Sequence, residues 1–439
     1  MKENIITRIA PSPTGLFHIG TARTALFNYL FSKKHNGKFI LRIEDTDSKR
    51  SEKKYIQDII DGLKWLDLKW DGNIFYQSQR QKIYQKYIQK LLKENKAYSK
   101  DGAIWFDIAK YPKDKIKYHD MVLGDLEFDK ANFNDFVLIK SDKTPLYMFA
   151  AVVDDFDMQI SHIIRGDDHV NSTPQQIMIY ESLGFKLPKF AHIPMILNTD
   201  RSKMSKRKNP VSISADFKNK GYLPQAMINY MVLLGWNPKN NQEIFTIDKL
   251  TDHFDIKKIN RSPAIFDIEK LNYFNNYYIK NMDSDMLLSQ ILKYNPNTIV
   301  LKNIDRAKIL KIIDITKSRM NNLSDFIPLT RFIYKMPKYN YQMLIFKKST
   351  KEKTLSGLKY TYQSLTDSDE KIWKRQDSLN HILLSVVKKY SLSNGDIFWP
   401  IRVALSGLEK SPSPVELLWV LEKKESLSRI KKSIQELSK

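Results

Sequence analysis

The stretch 5–37 constrains this chain more than any other part of it. Residues 5–10, IITRIA, are rich in β-branched side chains and read as a buried strand. They run into PSPTGLFHIGT at 11–21. Residues 18–34 then carry helical apolar spacing through Ala22, Leu26, Phe27 and Leu30, with Gly37 just beyond their end. A strand, a proline-stiffened loop and a helix in that order predict the opening unit of an α/β sheet, where ligands bind outside the carboxyl ends of strands. The pattern repeats, with residues 38–43 read as a strand and 53–66 and 80–94 as helices. A β-α-β-α order predicts a parallel sheet with crossover helices on its faces.

Further along, residues 105–140 are strand-like and turn-rich, and read as an insertion. The α/β pattern returns at 147–154 and 162–165 and in a helix over 174–183. From Pro224 onward the spacing is helical, with breaks near 237–241, 295–297 and 391–395. A length of 439 residues predicts two to four domains. No stretch approaches the ~20 apolar residues that span a bilayer. Residues 1–15 carry no apolar run like that of a secretory leader, so a cytoplasmic protein without a membrane partner is expected. Cysteine is absent, which excludes disulfides, thiolate nucleophiles and cysteine-ligated zinc. The eight histidines are scattered with no HxxxH pair, so no zinc or other structural metal is expected. A net charge of +23 favours a polyanionic partner such as RNA, although a drift of composition towards Lys, Asn and Ile accounts for the excess equally well.

The loop at 11–21 suits a phosphate chain. Gly15 and Gly20 let oxygen atoms approach the backbone. His18 and Gly20 lie at a helix start, whose free N–H groups and dipole favour anions. His18 can donate to phosphate oxygens as charge develops. A second basic run, Lys203-Met204-Ser205-Lys206-Arg207, follows the α/β pattern, and by itself reads as a solvated loop. The pairs Asp154-Asp155 and Asp167-Asp168 read as loop and helix-start residues rather than a metal site, because no third carboxylate has suitable spacing.

Residues 11–21 resemble the HIGH signature of class I aminoacyl-tRNA synthetases, with Thr21 in place of the final histidine. The longer run from Arg8 through SPTG and HIGTARTALFN to LRIEDTD at 41–47 is similar to the glutamyl branch of that class, and KMSKR at 203–207 is similar to its KMSKS-type loop. The likeness continues in YMFAAVVDD (147–155), IIRGDDH (163–169), GYLPQAMINYMVLLGWNP (221–238) and INRSPAIFDIEKLNYFNNYY (259–278). It weakens over 283–394 and returns in FWPIRVALSGLEKSPSPVELLWVL (398–421), a bacterial-type pattern.

This resemblance to bacterial glutamyl-tRNA synthetases implies ATP-dependent attachment of glutamate to tRNA(Glu) through a glutamyl-adenylate, by a cytoplasmic monomer using ATP with Mg²⁺. It implies an α/β Rossmann-type parallel-sheet catalytic domain with a small α+β insertion, followed by all-α stem-contact and anticodon-binding domains. The expected boundaries are 1–97 and 147–211 for the catalytic halves, 98–146 for the acceptor-end insertion, 212–305 for the stem-contact domain and 306–439 for the anticodon domain. His18 and Lys206 are the expected catalytic residues. Thr14, Gly15, His18, Gly20, Thr21, Asp168, Lys203, Lys206 and Arg207 are the expected ATP site. Arg8, Ser12, Glu44, Tyr147, Arg165 and His169 are the expected glutamate pocket. Arg8 and Arg165 are the candidate forks for the side-chain carboxylate and Glu44 the partner of the ammonium, although most arginines taken singly serve structural ion pairs. Three other readings compete: a tRNA-modifying relative, which would lack the long helical tail; a glutaminyl-tRNA synthetase, whose usual tail is a β-barrel; and a non-catalytic RNA-binding paralogue.

Overall fold

The computed structural model describes residues 4–47, 49–202, 204, 211–295 and 304–439. The chain divides into two compact units, Met1–Asn275 and Asn276–Lys439.

In the first unit, β1 (Ile6–Ile9) is wholly buried and leads through the proline loop to α1 (Ile19–Lys34). The inward side chains of α1 include Ile19, Ala22, Leu26, Phe27 and Leu30, as their spacing dictates. β2 (Lys38–Ile43) returns parallel to β1, with Ile6 opposite Lys38 and Ile9 opposite Leu41. α2 (Lys53–Trp65) buries Ile59, Gly62 and Leu63. β3 (Phe75–Tyr76) extends the sheet beside β2, and α3 (Gln81–Lys93) follows.

The stretch read as an insertion divides between two sheets. β4 (Ala97–Lys100), β5 (Ala103–Phe106) and β8 (Phe136–Ile139) make an antiparallel sheet of their own. The hairpin of β6 (Lys115–Asp120) and β7 (Gly124–Asp129) goes elsewhere, because Ile116 and Tyr118, alternate residues of β6, need a buried face, and Asp120 is carried onto it with them. They find it after α4 (Tyr147–Asp157), β9 (His162–Gly166), α5 (Thr173–Leu183) and β10 (Lys189–Ile193). β9 and β10 are parallel, β10 takes β6 as its other parallel neighbour, and the strand order is β7-β6-β10-β9. Ser161, just before β9, joins this sheet to β1: its N–H donates to the Ile6 carbonyl at 2.9 Å, and the Ile6 N–H donates to its hydroxyl at 2.8 Å.

β11 (Ile196–Leu197) leads towards helices α6 (Pro224–Leu233) and α7 (Ile247–His253), and pairs with β12 (Ala264–Ile265) before α8 (Ile268–Asn281), in which the division between the units falls. The second unit continues through α9 (Ser284–Tyr294), α10 (Arg306–Thr316), α11 (Phe326–Tyr334), α12 (Lys351–Thr366), α13 (Gln376–Lys389), α14 (Asn394–Ser406) and α15 (Pro414–Ser438). Capping boxes at Ser393/Asp396 and Ser413/Glu416 start the last two helices, each satisfying backbone donors that a helix end leaves open. Among the described residues no helix is long and apolar enough to cross a membrane.

Gly62 is where helix α2 meets the loop ahead of α1. A β-carbon there would stand 2.5 Å from Cδ1 of Phe17, whose ring is buried. Gly62→Ala should therefore destabilise the first unit by about 1–3 kcal/mol, the usual cost of overpacking. Urea unfolding followed by a probe confined to that unit checks this, and an unchanged midpoint would show that Phe17 repacks freely.

Candidate active site

The carboxyl ends of β1 and β9 and the amino end of α1 open onto one cleft of about 690 Å³. Its lining brings together Arg8, Ser12, His18, Gly20, Thr21, Glu44, Tyr147, Arg165, Asp168 and His169. Thr14 and Gly15 are not among the lining residues. Lys203, Lys206 and Arg207 lie outside the described residues. Met204, from the same basic run, is described, is buried and forms part of the cleft wall.

Backbone hydrogen bonds tie the chain after the second run to the first loop. The Ile19 N–H donates to the Val211 carbonyl at 2.8 Å, and the Ile213 N–H donates to the Phe17 carbonyl at 2.9 Å. Asp58 of α2 braces both strands of this strap, accepting from the Phe17 N–H at 2.6 Å and from the Ser214 hydroxyl. Segments far apart in sequence are thus held side by side. His18 is the N-cap of α1, and its Nδ1 accepts the Gly20 N–H at 3.0 Å. An accepting Nδ1 assigns the proton of the neutral ring to Nε2, which becomes a donor beside the helix start.

The two arginines predicted for an acidic ligand have opposite surroundings. Arg8 is paired: its Nε and Nη2 donate to the two oxygens of Asp155 at 3.0 and 3.3 Å. Asp155 also accepts from Arg42 Nη1 at 2.6 Å, and Arg42 Nη2 donates to Glu44 at 3.1 Å. Burial pushes the Asp155 carboxyl up, but the Arg42 and Arg8 charges outweigh it and hold Asp155 below the ordinary aspartate value. Burial raises the Glu44 carboxyl despite the opposing charges of Arg42 and Arg8. Arg42 itself is held strongly protonated: burial opposes its charge, and Asp155, Glu44 and Asp154 overcome that. Asp154 is equally engaged, accepting from Gln77 at 2.8 Å, Arg80 at 2.6 Å and Tyr84 at 2.9 Å. The placement of this pair corrects the sequence reading. Asp154 and Asp155 lie in the C-terminal turns of α4, buried against arginines, and not in a loop or at a helix start. Asp167 and Asp168 do open a short 3₁₀ turn, 167–172.

Arg165 makes no salt bridge among the described residues. Its Nε donates to His192 Nε2 at 3.2 Å, its Nη1 to the Tyr147 hydroxyl at 3.3 Å and its Nη2 to the Thr173 hydroxyl at 2.7 Å. A guanidinium stays protonated in proteins, so this one faces the cleft with its charge uncompensated by a carboxylate. Arg42, Thr173, His192 and Asp120 escaped the sequence reading. Arg42 was visible within LRIEDTD as a cation between buried strand residues. Asp120 gave no signal, because it lies in the segment set apart as an insertion. No group of three or more His, Asp or Glu that could hold a metal ion occurs among the described residues.

Comparison with known proteins finds matches for both parts of the chain. Residues 4–103 and 108–273 match the family model for the catalytic domain of class I tRNA synthetases (E and Q), and residues 285–434 match that of an anticodon-binding domain. The glutamate–tRNA ligase 2 of Thermoanaerobacter pseudethanolicus is 37% identical, over 100% of this chain and 99% of its own length. That of Thermosipho melanesiensis is 38% identical over 97% of each chain. The crystal structure of a glutamate tRNA ligase from Elizabethkingia meningosepticum, in complex with its amino acid, superposes with a TM-score of 0.88 at 28% identity, covering 99% of this chain and 100% of that one.

His169, whose ring lies 5.4 Å from that of Tyr147, gives a direct electrostatic test. Burial lowers its pKa, and the Arg165 charge adds to the effect, to about 4 from the usual 6.5. The folded ring therefore stays neutral while an unfolded chain takes up a proton. Its contribution to stability is complete above pH 6.5 and declines as pH falls towards about 4. Nuclear magnetic resonance titration of the native protein should show no His169 protonation above pH 5; a midpoint near 6.5 would contradict the half-buried placement beside Arg165.

Proposed function

This chain belongs to the glutamate–tRNA ligase family of class I tRNA synthetases, and on that footing we propose that it activates glutamate with ATP and transfers it to tRNA(Glu). The observation that carries the reading is the single cleft in which an uncompensated Arg165, the paired Arg8 and Glu44 stand opposite the helix start at His18.

In the first step a glutamate carboxylate oxygen attacks the α-phosphorus of ATP, an O–P bond forms, and the bond to the β-phosphoryl oxygen breaks to release pyrophosphate. ATP enters as its Mg²⁺ complex, with the ion held mainly by phosphates and water. Such chemistry asks the protein for alignment and charge stabilisation rather than covalent participation. Arg165 takes the side-chain carboxylate of the substrate, with Tyr147 beside it. Glu44 attracts the ammonium group. His18 Nε2 and the free N–H groups at Gly20 and Thr21 meet phosphate oxygens, while Thr14 and Gly15 shape the turn before them. Asp168 and His169 border the ribose and the substrate. Lys203, Lys206 and Arg207 neutralise the departing pyrophosphate. In the second step a terminal ribose hydroxyl of the tRNA attacks the acyl carbon, and AMP leaves.

We further read 98–146 as contacting the acceptor end, 212–305 as the stem-contact domain and 306–439 as the anticodon domain. The matched anticodon-binding model and the net charge of +23 support an RNA partner. A cytoplasmic monomer is the state that the family resemblance suggests.

The test is charging of purified tRNA with glutamate and with glutamine, alongside ATP–pyrophosphate exchange with and without tRNA. Glutamate charging is expected, with exchange that depends on tRNA; no charging with glutamate would overturn the proposal in favour of a binding protein. Arg165→Ala should lower kcat/KM for glutamate by about a hundredfold or more, the scale for losing one partner of a desolvated charge pair. An unchanged glutamate response removes Arg165 from the pocket. Lys206→Ala should slow adenylate formation by ~10²-fold, as for loss of a transition-state donor, with tRNA affinity unaltered. Normal adenylation with weakened tRNA binding would assign Lys206 to RNA contact instead.

A further inference from the structure

We propose that Asp120, His192 and Thr173 form a buried positioning device that holds Arg165 in place through neutral acceptors and so sets the enzyme's use of its acidic amino acid. The inference rests on the function proposed above and names side chains beyond the pocket lining.

All four side chains are buried: Asp120 and Thr173 and His192 are 0% exposed, and Arg165 is 5% exposed. They come from four separate elements, β6, β9, α5 and β10, so their meeting is a product of the fold and not of local sequence. The hydrogen bonds form a chain whose Asp120 end fixes the proton on the His192 ring. Asp120 accepts from the N–H groups of Val122 and Leu123 at 2.9 Å each and from the His192 N–H at 3.1 Å. Its Oδ2 lies 2.7 Å from His192 Nδ1. With every neighbour of Asp120 a donor, His192 carries its proton on Nδ1. That leaves Nε2 as an acceptor, which is what the 3.2 Å contact from Arg165 Nε requires. Thr173 works in the same sense: its one hydroxyl proton has two acceptors in reach, the His169 carbonyl at 2.9 Å and His192 Nε2 at 3.0 Å, and its oxygen accepts from Arg165 Nη2 at 2.7 Å.

The charge state agrees. Burial lowers the pKa of His192; the Asp120 hydrogen bond opposes this and the Arg165 charge adds to it, leaving the pKa below the ordinary value and the ring neutral near pH 7. Burial works against the Asp120 carboxylate, but the His192 hydrogen bond and the Leu123 and Val122 amides hold it below the ordinary aspartate value. The other groups around the ring are uncharged on this side: the Tyr118 and Phe190 rings have centroids 6.4 and 6.3 Å from it, and Asp167 acts on it only at longer range.

The consequence is selective. A carboxylate placed directly on Arg165 would orient it equally well but would cancel its charge, as Asp155 does for Arg8. Here the carboxylate stands one imidazole away. Arg165 is fixed in orientation, and the nearest full negative charge to complete it is left to be supplied by the ligand.

Asp120→Asn tests this without changing shape. The amide oxygen will keep the side facing the Val122 and Leu123 N–H groups, so the NH₂ will face His192 Nδ1 and shift the ring proton to Nε2, against Arg165. Three results are expected from the full-length variant: a change of His192 from the Nδ1–H to the Nε2–H tautomer in ring ¹⁵N shifts; a rise in glutamate KM of about ten- to a hundredfold, the scale for a hydrogen bond to a charged group; and ATP KM and kcat altered by far less. Thr173→Val, which deletes one acceptor and keeps the volume, should give the same split should the asparagine variant fold poorly. Wild-type His192 with its proton on Nε2, or glutamate and ATP parameters that move together in both variants, would overturn the positioning role. Wild-type protein that does not use glutamate would instead overturn the proposed function, and this inference with it.

Discussion

The first unit depends on one carboxylate placed between two guanidinium groups. Asp155 is sealed from solvent and accepts from both Arg8 and Arg42. Neither arginine could remain at the centre of the sheet without it. An unpaired buried charge costs several kcal/mol, and removing one member of such a pair typically costs about 3–5 kcal/mol. Asp155 in turn is positioned by α4, whose preceding residue Asp154 anchors Arg80, Gln77 and Tyr84. One turn of helix therefore links β1, β2 and α3 through side chains alone, and the floor of the cleft is rigid for that reason.

This arrangement divides labour between the two arginines of the cleft. Arg8 is held by a full opposite charge and is structurally secure. Arg165 is held by hydroxyl and imidazole acceptors and keeps its field for what enters. The same residue type at the ends of two strands thus has two electrostatic characters, and the difference lies in what stands behind each guanidinium.

Much of this was legible in the sequence. The alternation of strands and helices from β1 to α2, and helix α3 after it, follows from β-branched runs and 3.6-residue spacing, whereas the two-residue β3 was too short to read, and β2 was delimited by Gly37 on one side. The positions of Arg8 and Arg165 at strand ends followed from the same pattern. The long-range pairs were not legible. Nothing in KIKYHD says that Asp120 will meet His192, because β6 and β10 are separated by three other strands and two helices in chain order. The acidic pair at 154–155 read as a loop because two adjacent carboxylates are unusual in a buried helix; only the arginines from β1, β2 and the N-cap of α3, invisible to local reading, make that burial tolerable. The helical second half of the family likeness was strong in its last segment and weak at 283–394, where apolar spacing fixes helices but leaves no chemical signature.

The β6–β7 hairpin has a consequence for modularity. By sequence, residues 98–146 look like a cassette spliced into an older fold, something a protein engineer would trim or exchange. By hydrogen bonding only β4, β5 and β8 are detachable in that sense. Excising the whole segment would strip β10 of a neighbour and take away the aspartate behind His192. A minimal version of this catalytic unit, or a chimera with a relative's acceptor-end segment, has to be cut so that residues 115–129 stay with the host.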